Sequence, residues 1–174
     1  MKKKLFVLIV AALVLVPFIV GPATAKTLKV GTMSPLTGPY AADGNDIANG
    51  VRAAVAVMEA EGGIPGFDKI EVVAQDTACD PRQAVAAANK LINEEVVGVI
   101  GAYCSSSTIP ASEALAEEDI PMITPASTNE KVTERGLPYM FRMCGRDDDQ
   151  SKIAGAFIKD YLNAKTVYIV DDKT

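Results

Sequence analysis

Four consecutive hydroxyl residues, Ser105 to Thr108, mark the place where chemistry is most expected in this chain. They follow an apolar segment, Val96–Gly101, that reads as a buried strand, and they open a predicted helix. The first turn of a helix has free backbone N–H groups and a partial positive charge, so added hydroxyls there suit a carboxylate or phosphate. One serine would simply cap the helix, but four hydroxyls in succession favour anion binding.

A second polar loop, Thr124-Pro125-Ala126-Ser127-Thr128-Asn129, ends the next predicted strand. In a parallel sheet the loops that follow neighbouring strands lie at the same edge, where ligands bind. We therefore expect the two hydroxyl loops to face each other. Such a pair suits a small polar ligand that carries a carboxylate.

Catalysis, metal binding and nucleotide binding have little support in the sequence. The chain has no histidine, so neither Cys104 nor a serine has the usual activating base, and neither a Gly-x-Ser-x-Gly elbow nor a Ser-x-x-Lys pair is present. Without histidine or a Cys-x-x-Cys pair, a metal site is not expected. Gly98 and Gly101 do not fit a Gly-x-Gly-x-x-Gly loop. We expect a binding protein that needs no cofactor, and not an enzyme.

Composition limits the remaining classes of function. The chain has 174 residues, of which 49% are hydrophobic and 22% charged, as in a folded globular protein. Its net charge is −5, and an acidic chain is a poor partner for nucleic acid because phosphates need a basic face.

The N-terminus has the pattern of an export signal. Lys2–Lys4 precede an apolar run, Leu5–Val20, and an Ala-x-Ala site ends at Ala25. Residues 1–25 are therefore predicted to be a signal peptide cleaved after Ala25, which places the product in the periplasm. A membrane anchor is the alternative, but the run is short for a span and Pro17 interrupts it.

Strands and helices are predicted to alternate along the rest of the chain, which favours an α/β fold with a doubly wound parallel sheet. The predicted strands are Leu28–Met33, Ile70–Ala74, Val96–Gly101, Ile120–Ile123, Tyr139–Met143 and Thr166–Val170. One helix presents Ile47, Val51, Ala54, Val55 and Met58 on one face and ends at Gly62-Gly63. The others begin at Asp80-Pro81 or span Ser107–Glu118 and Asp148–Leu162. The loops expected at the ligand edge are Ser34–Asp46, Asp76–Asp80, Ala102–Thr108 and Thr124–Asn129.

Five segments together resemble a known family. They are Gly31-Thr32-Met33-Ser34-Pro35-Leu36-Thr37-Gly38, Gly62-Gly63-Ile64, Asp76-Thr77-Ala78-Cys79-Asp80-Pro81, Cys104-Ser105-Ser106-Ser107-Thr108 and Pro125-Ala126-Ser127-Thr128-Asn129. The sequence is similar to the branched-chain amino-acid (leucine/isoleucine/valine)-binding proteins of ABC transporters, which are type I periplasmic binding proteins. The resemblance covers the whole chain after the signal peptide.

The resemblance implies a role for each matching residue. Ser105 would hold the ligand carboxylate through its hydroxyl and backbone N–H, and Ala126 would offer its carbonyl to the ammonium. Thr128 would contact both groups, while Tyr103 would line the pocket for the ligand's side chain.

The cysteines and one departure complete the predicted site. An exported chain with three cysteines can form one bridge, and residue types alone leave the pairing open. The resemblance implies a Cys79–Cys104 disulfide, which agrees with their places after neighbouring strands, and it puts Cys104 among the ligand-binding residues. Asp43 stands where the family often has an aromatic residue over the ligand, which leaves room for a more polar ligand.

The expected function is capture of an amino acid, with branched-chain amino acids first, for an inner-membrane ABC permease. The family is two-lobed, so residues 26–144 are expected to form an incomplete lobe one. Residues 145–174 would form the hinge and the start of an incomplete lobe two, with the chain truncated after the first lobe. A monomer is expected. The alternative is the ligand-sensing module of a receptor with the same fold.

Overall fold

A computed structural model describes residues 25–170, in which five parallel strands form one sheet. The strands are β1 (Thr27–Ser34), β2 (Lys69–Asp76), β3 (Val99–Gly101), β4 (Met122–Thr124) and β5 (Met140–Arg142). The helices are α1 (Ala41–Ala60), α2 (Pro81–Asn93), α3 (Ser105–Glu117), α4 (Lys131–Glu134) and α5 (Asp147–Ala156), and α5 continues into a π-helical turn, Phe157–Tyr161. The spatial order β2-β1-β3-β4-β5 reverses direction at β1, so the predicted doubly wound α/β fold is confirmed.

The predicted signal peptide lies outside the described residues, apart from its last residue, Ala25. Among residues 25–170, no helix combines the length and the apolar character that a membrane span requires.

The start of α2 shows how local sequence fixes an element. Asp80 is the N-cap and accepts a hydrogen bond from the backbone N–H of Gln83 at 2.8 Å, while Pro81 occupies the first helical position. The Gln83 side chain does not return to the N-cap but donates to the Asp76 carbonyl at 3.0 Å. The helix start is therefore tied to the end of β2, at the predicted ligand edge.

The core lies between one face of the sheet and the pair α2 and α3. Its fully buried members include Leu91 of α2, Leu115 of α3, Val99 and Met122. Of the described helices, α1 covers the opposite face, against β1 and β2. The predicted apolar stripe of α1 does face the sheet, but of its members only Val51 is buried.

The rest of that stripe lines an open apolar groove of about 420 Å³ instead of a closed core. Ile47, Val55 and Met58 meet Val30 and Ile100 of the sheet there, and 42% of Met58 is exposed. The predicted face therefore points to the sheet without being enclosed, because no second element among the described residues covers the groove.

Several predicted boundaries shift, and one predicted strand is absent. Thr166–Val170 has no regular structure, and Ile169 is 93% exposed, because no neighbouring strand among the described residues offers backbone partners. The predicted helix over Asp148–Leu162 is present as α5 and its π-helical turn, but it buries no residue. The helix predicted from Ser107 begins at Ser105, which brings Ser105 and Ser106 into its first turn.

A disulfide joins two of the loops at the ligand edge. Cys79 lies in the loop after β2, Cys104 is the N-cap of α3, and their Cα atoms are 5.5 Å apart. The predicted pairing is confirmed, and Cys144 is the free thiol of the described chain.

Asp76, the last residue of β2, connects the loop after β1 to the loop after β2. Its carboxylate accepts hydrogen bonds from the backbone N–H groups of Leu36 and Ala78, each at 2.8 Å, and from the Thr37 hydroxyl at 2.5 Å. Burial by itself raises the pKa of Asp76, but these hydrogen bonds outweigh burial and hold the pKa below 3.8.

We predict that removing the disulfide destabilises the fold. Its two cysteines are 25 residues apart, and in the chain-entropy model closing such a loop contributes about 3 kcal/mol. A Cys79→Ser/Cys104→Ser variant should lose about that much free energy of unfolding in urea titrations, whereas Cys144→Ser should change it little. Thiol labelling of the native, unreduced chain that finds three reactive cysteines would refute the pairing.

We also predict that Asp76→Asn lowers the free energy of unfolding by about 1–2 kcal/mol at neutral pH, because the carboxylate makes charge-assisted hydrogen bonds. The folded pKa lies below the unfolded value, so the Asp76 contribution is fully present at neutral pH, begins to decline near the ordinary pKa of an aspartate and disappears as the pH falls through the folded pKa. Urea titrations should therefore show the two proteins converging in acid. Asp46→Asn, at an exposed position, is the control, and an equal pH-dependent loss there would contradict the assignment.

Candidate ligand-binding site

A cavity of about 830 Å³ lies at the carboxyl ends of the strands, where all four predicted loops meet. Its lining residues are Tyr40, Cys79, Tyr103, Cys104, Ser105, Ser106, Ala126, Thr128, Asn129 and Asp147. The structure thus brings together all but one of the residues predicted for the site. The exception is Asp43, which is exposed on α1 and does not line the cavity.

Close packing of α1 against the loop after β1 places Tyr40 and Asp43 beside the cavity. The Ser34 hydroxyl donates to the Gly44 carbonyl at 2.8 Å, and a Cβ on Gly44 would overlap the Pro35 carbonyl. Only glycine allows this approach.

An aromatic pair with an acidic neighbour forms one wall of the cavity. The rings of Tyr40 and Tyr103 are 5.7 Å apart and tilted by 37°. Burial, then hydrogen bonding to Asp43 and the charges of Asp43 and Tyr40, raises the pKa of Tyr103. The phenol is therefore protonated at neutral pH, and Asp43 acts on the cavity through Tyr103.

The N-terminus of α3 supplies hydrogen-bond donors. Ser105 and Ser106 are its first two residues, so their backbone N–H groups have no acceptor within the helix. The Ser105 hydroxyl oxygen accepts from the backbone N–H of Asn129 at 3.3 Å, which leaves its own proton to donate elsewhere. The first turn contains no acidic residue, so nothing there offsets the positive end of the helix dipole.

The four-hydroxyl run divides into two functions. Ser107 and Thr108 are fully buried and do not line the cavity. The Thr108 hydroxyl pairs with the Ser127 hydroxyl at 2.6 Å and accepts from the Ala102 N–H at 3.2 Å. Ser105 and Ser106 therefore face the ligand edge, whereas Ser107 and Thr108 are buried behind it.

Tyr40 and Asn129 lie in predicted ligand-edge loops without having been named as ligand contacts, and Asp147 lies outside all four predicted loops. Asp147 begins α5, and its backbone N–H donates to the Thr128 carbonyl at 3.0 Å. Its neighbour Asp148 pairs with Arg146 at 2.9 Å, whereas the Asp147 carboxylate has no hydrogen bond or ion pair within residues 25–170. Acids are common in first helical turns, so the sequence did not distinguish Asp147 from the two that follow it.

The arrangement suits binding and offers no metal centre. In the described part of the chain, no three His, Cys, Asp or Glu residues are grouped to hold a metal ion. The cavity instead sets N–H and hydroxyl donors on α3 beside the loop that carries Ala126 and Thr128. It can hold a small molecule with both anionic and hydrogen-bonding groups.

Known sequences that are similar to this chain are also binding proteins. A family model described as periplasmic binding protein matches residues 27–174. The chain is 47% identical to an amino acid binding protein of Pseudomonas aeruginosa, across 99% of this chain and 46% of that protein. It is 43% identical to the Leu/Ile/Val-binding protein of Escherichia coli K12, across 87% of this chain and 41% of that protein.

A solved structure gives the same result. The branched-chain amino acid transporter substrate binding protein of Streptococcus pneumoniae, in complex with isoleucine, matches with a TM-score of 0.73 and 31% identity. The match covers 80% of this chain and 40% of that one, so the chain spans less than half the length of these relatives. The predicted resemblance is confirmed, and the chain belongs to the periplasmic binding protein family.

Proposed function

We propose that this protein captures an amino acid in the periplasm and delivers it to an inner-membrane ABC permease, with branched-chain amino acids as the first candidates. The observation that carries this proposal is the meeting, in one cavity, of the α3 N-terminus with the loop of Ala126 and Thr128. The names of the relatives support the same ligand class.

The carboxylate of the ligand would bind at α3. Among residues 25–170, the N–H groups of Ser105 and Ser106 donate to no acceptor, and the Ser105 hydroxyl has a proton to donate. Charge-assisted hydrogen bonds of this kind are about twice as strong as neutral ones. The positive end of the helix dipole adds to them.

The ammonium would bind at three oxygens on the other loops. Within the described residues, neither the Ala126 carbonyl nor the Thr128 hydroxyl accepts a hydrogen bond from the protein. The Asp147 carboxylate lines the same cavity and is unpaired among these residues. A carboxylate beside a carbonyl and a hydroxyl suits an ammonium, which has three donors and no acceptor.

The ligand's side chain would lie against Tyr40 and Tyr103. Their rings give it apolar surface, and the Tyr103 hydroxyl beside Asp43 gives the wall a polar group. This wall is compatible with leucine, isoleucine and valine and also accepts a hydroxyl-bearing side chain such as that of threonine.

The remaining features of the proposal follow from the family. We infer that residues 1–25 are removed on export, that residues 26–144 belong to lobe one and that residues 145–174 begin lobe two. The relatives are more than twice as long as the matched region, and a second lobe of that length would cover the open side of the cavity. The protein would act as a monomer and without a cofactor.

We predict that Ser105→Ala weakens leucine binding roughly ten- to hundredfold, because a hydrogen bond to a charged group contributes about 1.5–3 kcal/mol. The measurement is calorimetry on a hybrid in which residues 26–145 replace the matching part of the E. coli Leu/Ile/Val-binding protein. Ser106→Ala is the matched comparison, since Ser106 lines the same cavity but makes no hydrogen bond to Asn129, and it should cost less. Unchanged affinity in Ser105→Ala would exclude the proposed carboxylate site.

We also predict that residues 26–174 alone bind leucine only weakly, at roughly millimolar concentrations. Small-ligand sites usually bury about 70–90% of the ligand, and the described residues enclose only one side of it. Each tenfold loss of affinity corresponds to about 1.4 kcal/mol of lost contacts. An NMR titration with L-leucine should shift the amides of Ser105 and Thr128 without saturating at micromolar ligand. Saturation in the micromolar range would contradict this prediction.

A further inference from the structure

The loop after β4, which carries Ala126 and Thr128, is hydrogen-bonded to the short segment formed by residues 142–147. The carbonyls of Ser127 and Asn129 both accept hydrogen bonds from one guanidinium nitrogen of Arg142, at 3.2 and 2.7 Å. The carbonyl between them, that of Thr128, accepts from the Asp147 N–H at 3.0 Å. Residues 142–147 thus donate a hydrogen bond to the carbonyl of each of three successive peptide groups.

These bonds bear directly on Ser105. The peptide group between Thr128 and Asn129 carries the N–H that donates to the Ser105 hydroxyl oxygen. Arg142 holds the peptide group on each side of it, through the Ser127 and Asn129 carbonyls. Rotation of either neighbour would turn the Asn129 N–H away from Ser105, and the Ser105 hydroxyl would lose the donor that fixes the direction of its proton.

Arg142 is itself firmly placed. It is the last residue of β5, is half-buried, and its second terminal nitrogen donates to the Thr133 hydroxyl at 2.6 Å. No carboxylate pairs with it within the described residues, so its donors are used on neutral oxygens. A guanidinium can reach three acceptors in fixed directions, which a lysine ammonium on a flexible stem cannot reproduce.

We propose that Arg142 is a positioning residue of the ligand site. It sets the peptide groups of residues 127–129 so that Asn129 donates to Ser105 and the Ser105 proton points to the ligand carboxylate. The effect on ligand affinity rests on the function proposed above, whereas the ordering of the loop does not.

The test compares Arg142→Met and Arg142→Lys with Arg135→Met in the full chain, purified after export and labelled with ¹⁵N. Arg135 is the matched control because its guanidinium joins α4 to α3 through Ser112, Glu113 and the Ile109 carbonyl and makes no bond to residues 126–129. Two quantities are measured by NMR: the exchange rate of the Asn129 amide without ligand, and the dissociation constant for L-leucine.

Arg142→Met should raise the Asn129 exchange rate at least tenfold and weaken leucine binding at least fivefold, and Arg142→Lys should fall between it and wild type. Arg135→Met should leave both quantities within twofold of wild type, even where its thermal stability falls as far. In a Ser105→Ala background, Arg142→Met should no longer weaken binding, because the hydroxyl through which it acts is gone.

The proposal is overturned if Arg142→Met leaves the Asn129 exchange rate unchanged, or if Arg135→Met raises it equally. It is also overturned if the Arg142 effect on affinity persists in full in Ser105→Ala. If Arg142→Met does not fold, the same criteria apply to Arg142→Lys. If leucine shifts no wild-type amide while Asn129 exchange responds as expected, the proposed function fails and the positioning role stands.

Discussion

The pair of buried hydroxyls, Thr108 and Ser127, joins the two loops on which the ligand site depends. Their oxygens are 2.6 Å apart in a fully buried position, where an unmade hydrogen bond would be costly. Ser127 also donates to the Tyr103 carbonyl at 3.0 Å, so β3 and β4 leave the sheet with their loops in a fixed relation. The separation between the donors on α3 and the acceptors near Ala126 is therefore set by the core and not by the ligand.

Other contacts within the protein also hold the loops around the cavity in a fixed relation. Cys79 fixes the loop after β2 to the start of α3, and Asp76 fixes the loop after β1 to the loop after β2. Arg142 holds the loop after β4 from the opposite side. Each connection lies within the described residues, so the α3 side of the cavity has its geometry from these residues alone. Preorganisation of this kind lowers the conformational entropy that binding has to remove.

The sequence predicted the elements whose signals are local. Asp80-Pro81 marked the start of α2, and the hydroxyl run marked the helix that carries Ser105. The sequence-based prediction was wrong where an element forms only if another part of the fold packs against it. Thr166–Val170 has strand composition, yet a strand needs a neighbour, and none is present among the described residues. The sequence did not single out Asp147 or Arg142, because only the tertiary structure brings the Asp147 carboxylate to the cavity and the Arg142 guanidinium to the Ser127 and Asn129 carbonyls.

The groove along α1 and the cavity at the ligand edge differ in the free-energy cost of their exposure to water. The groove along α1 is almost wholly apolar, so leaving it in water lowers stability, whereas the cavity presents hydroxyls, amides and a carboxylate beside its two tyrosine rings, and water solvates those polar groups well. The core between the sheet and the pair α2 and α3 is independent of both. The fold can therefore form around that core and present an ordered, water-exposed cavity. Ligand and a closing surface would then displace water from groups that are already in position.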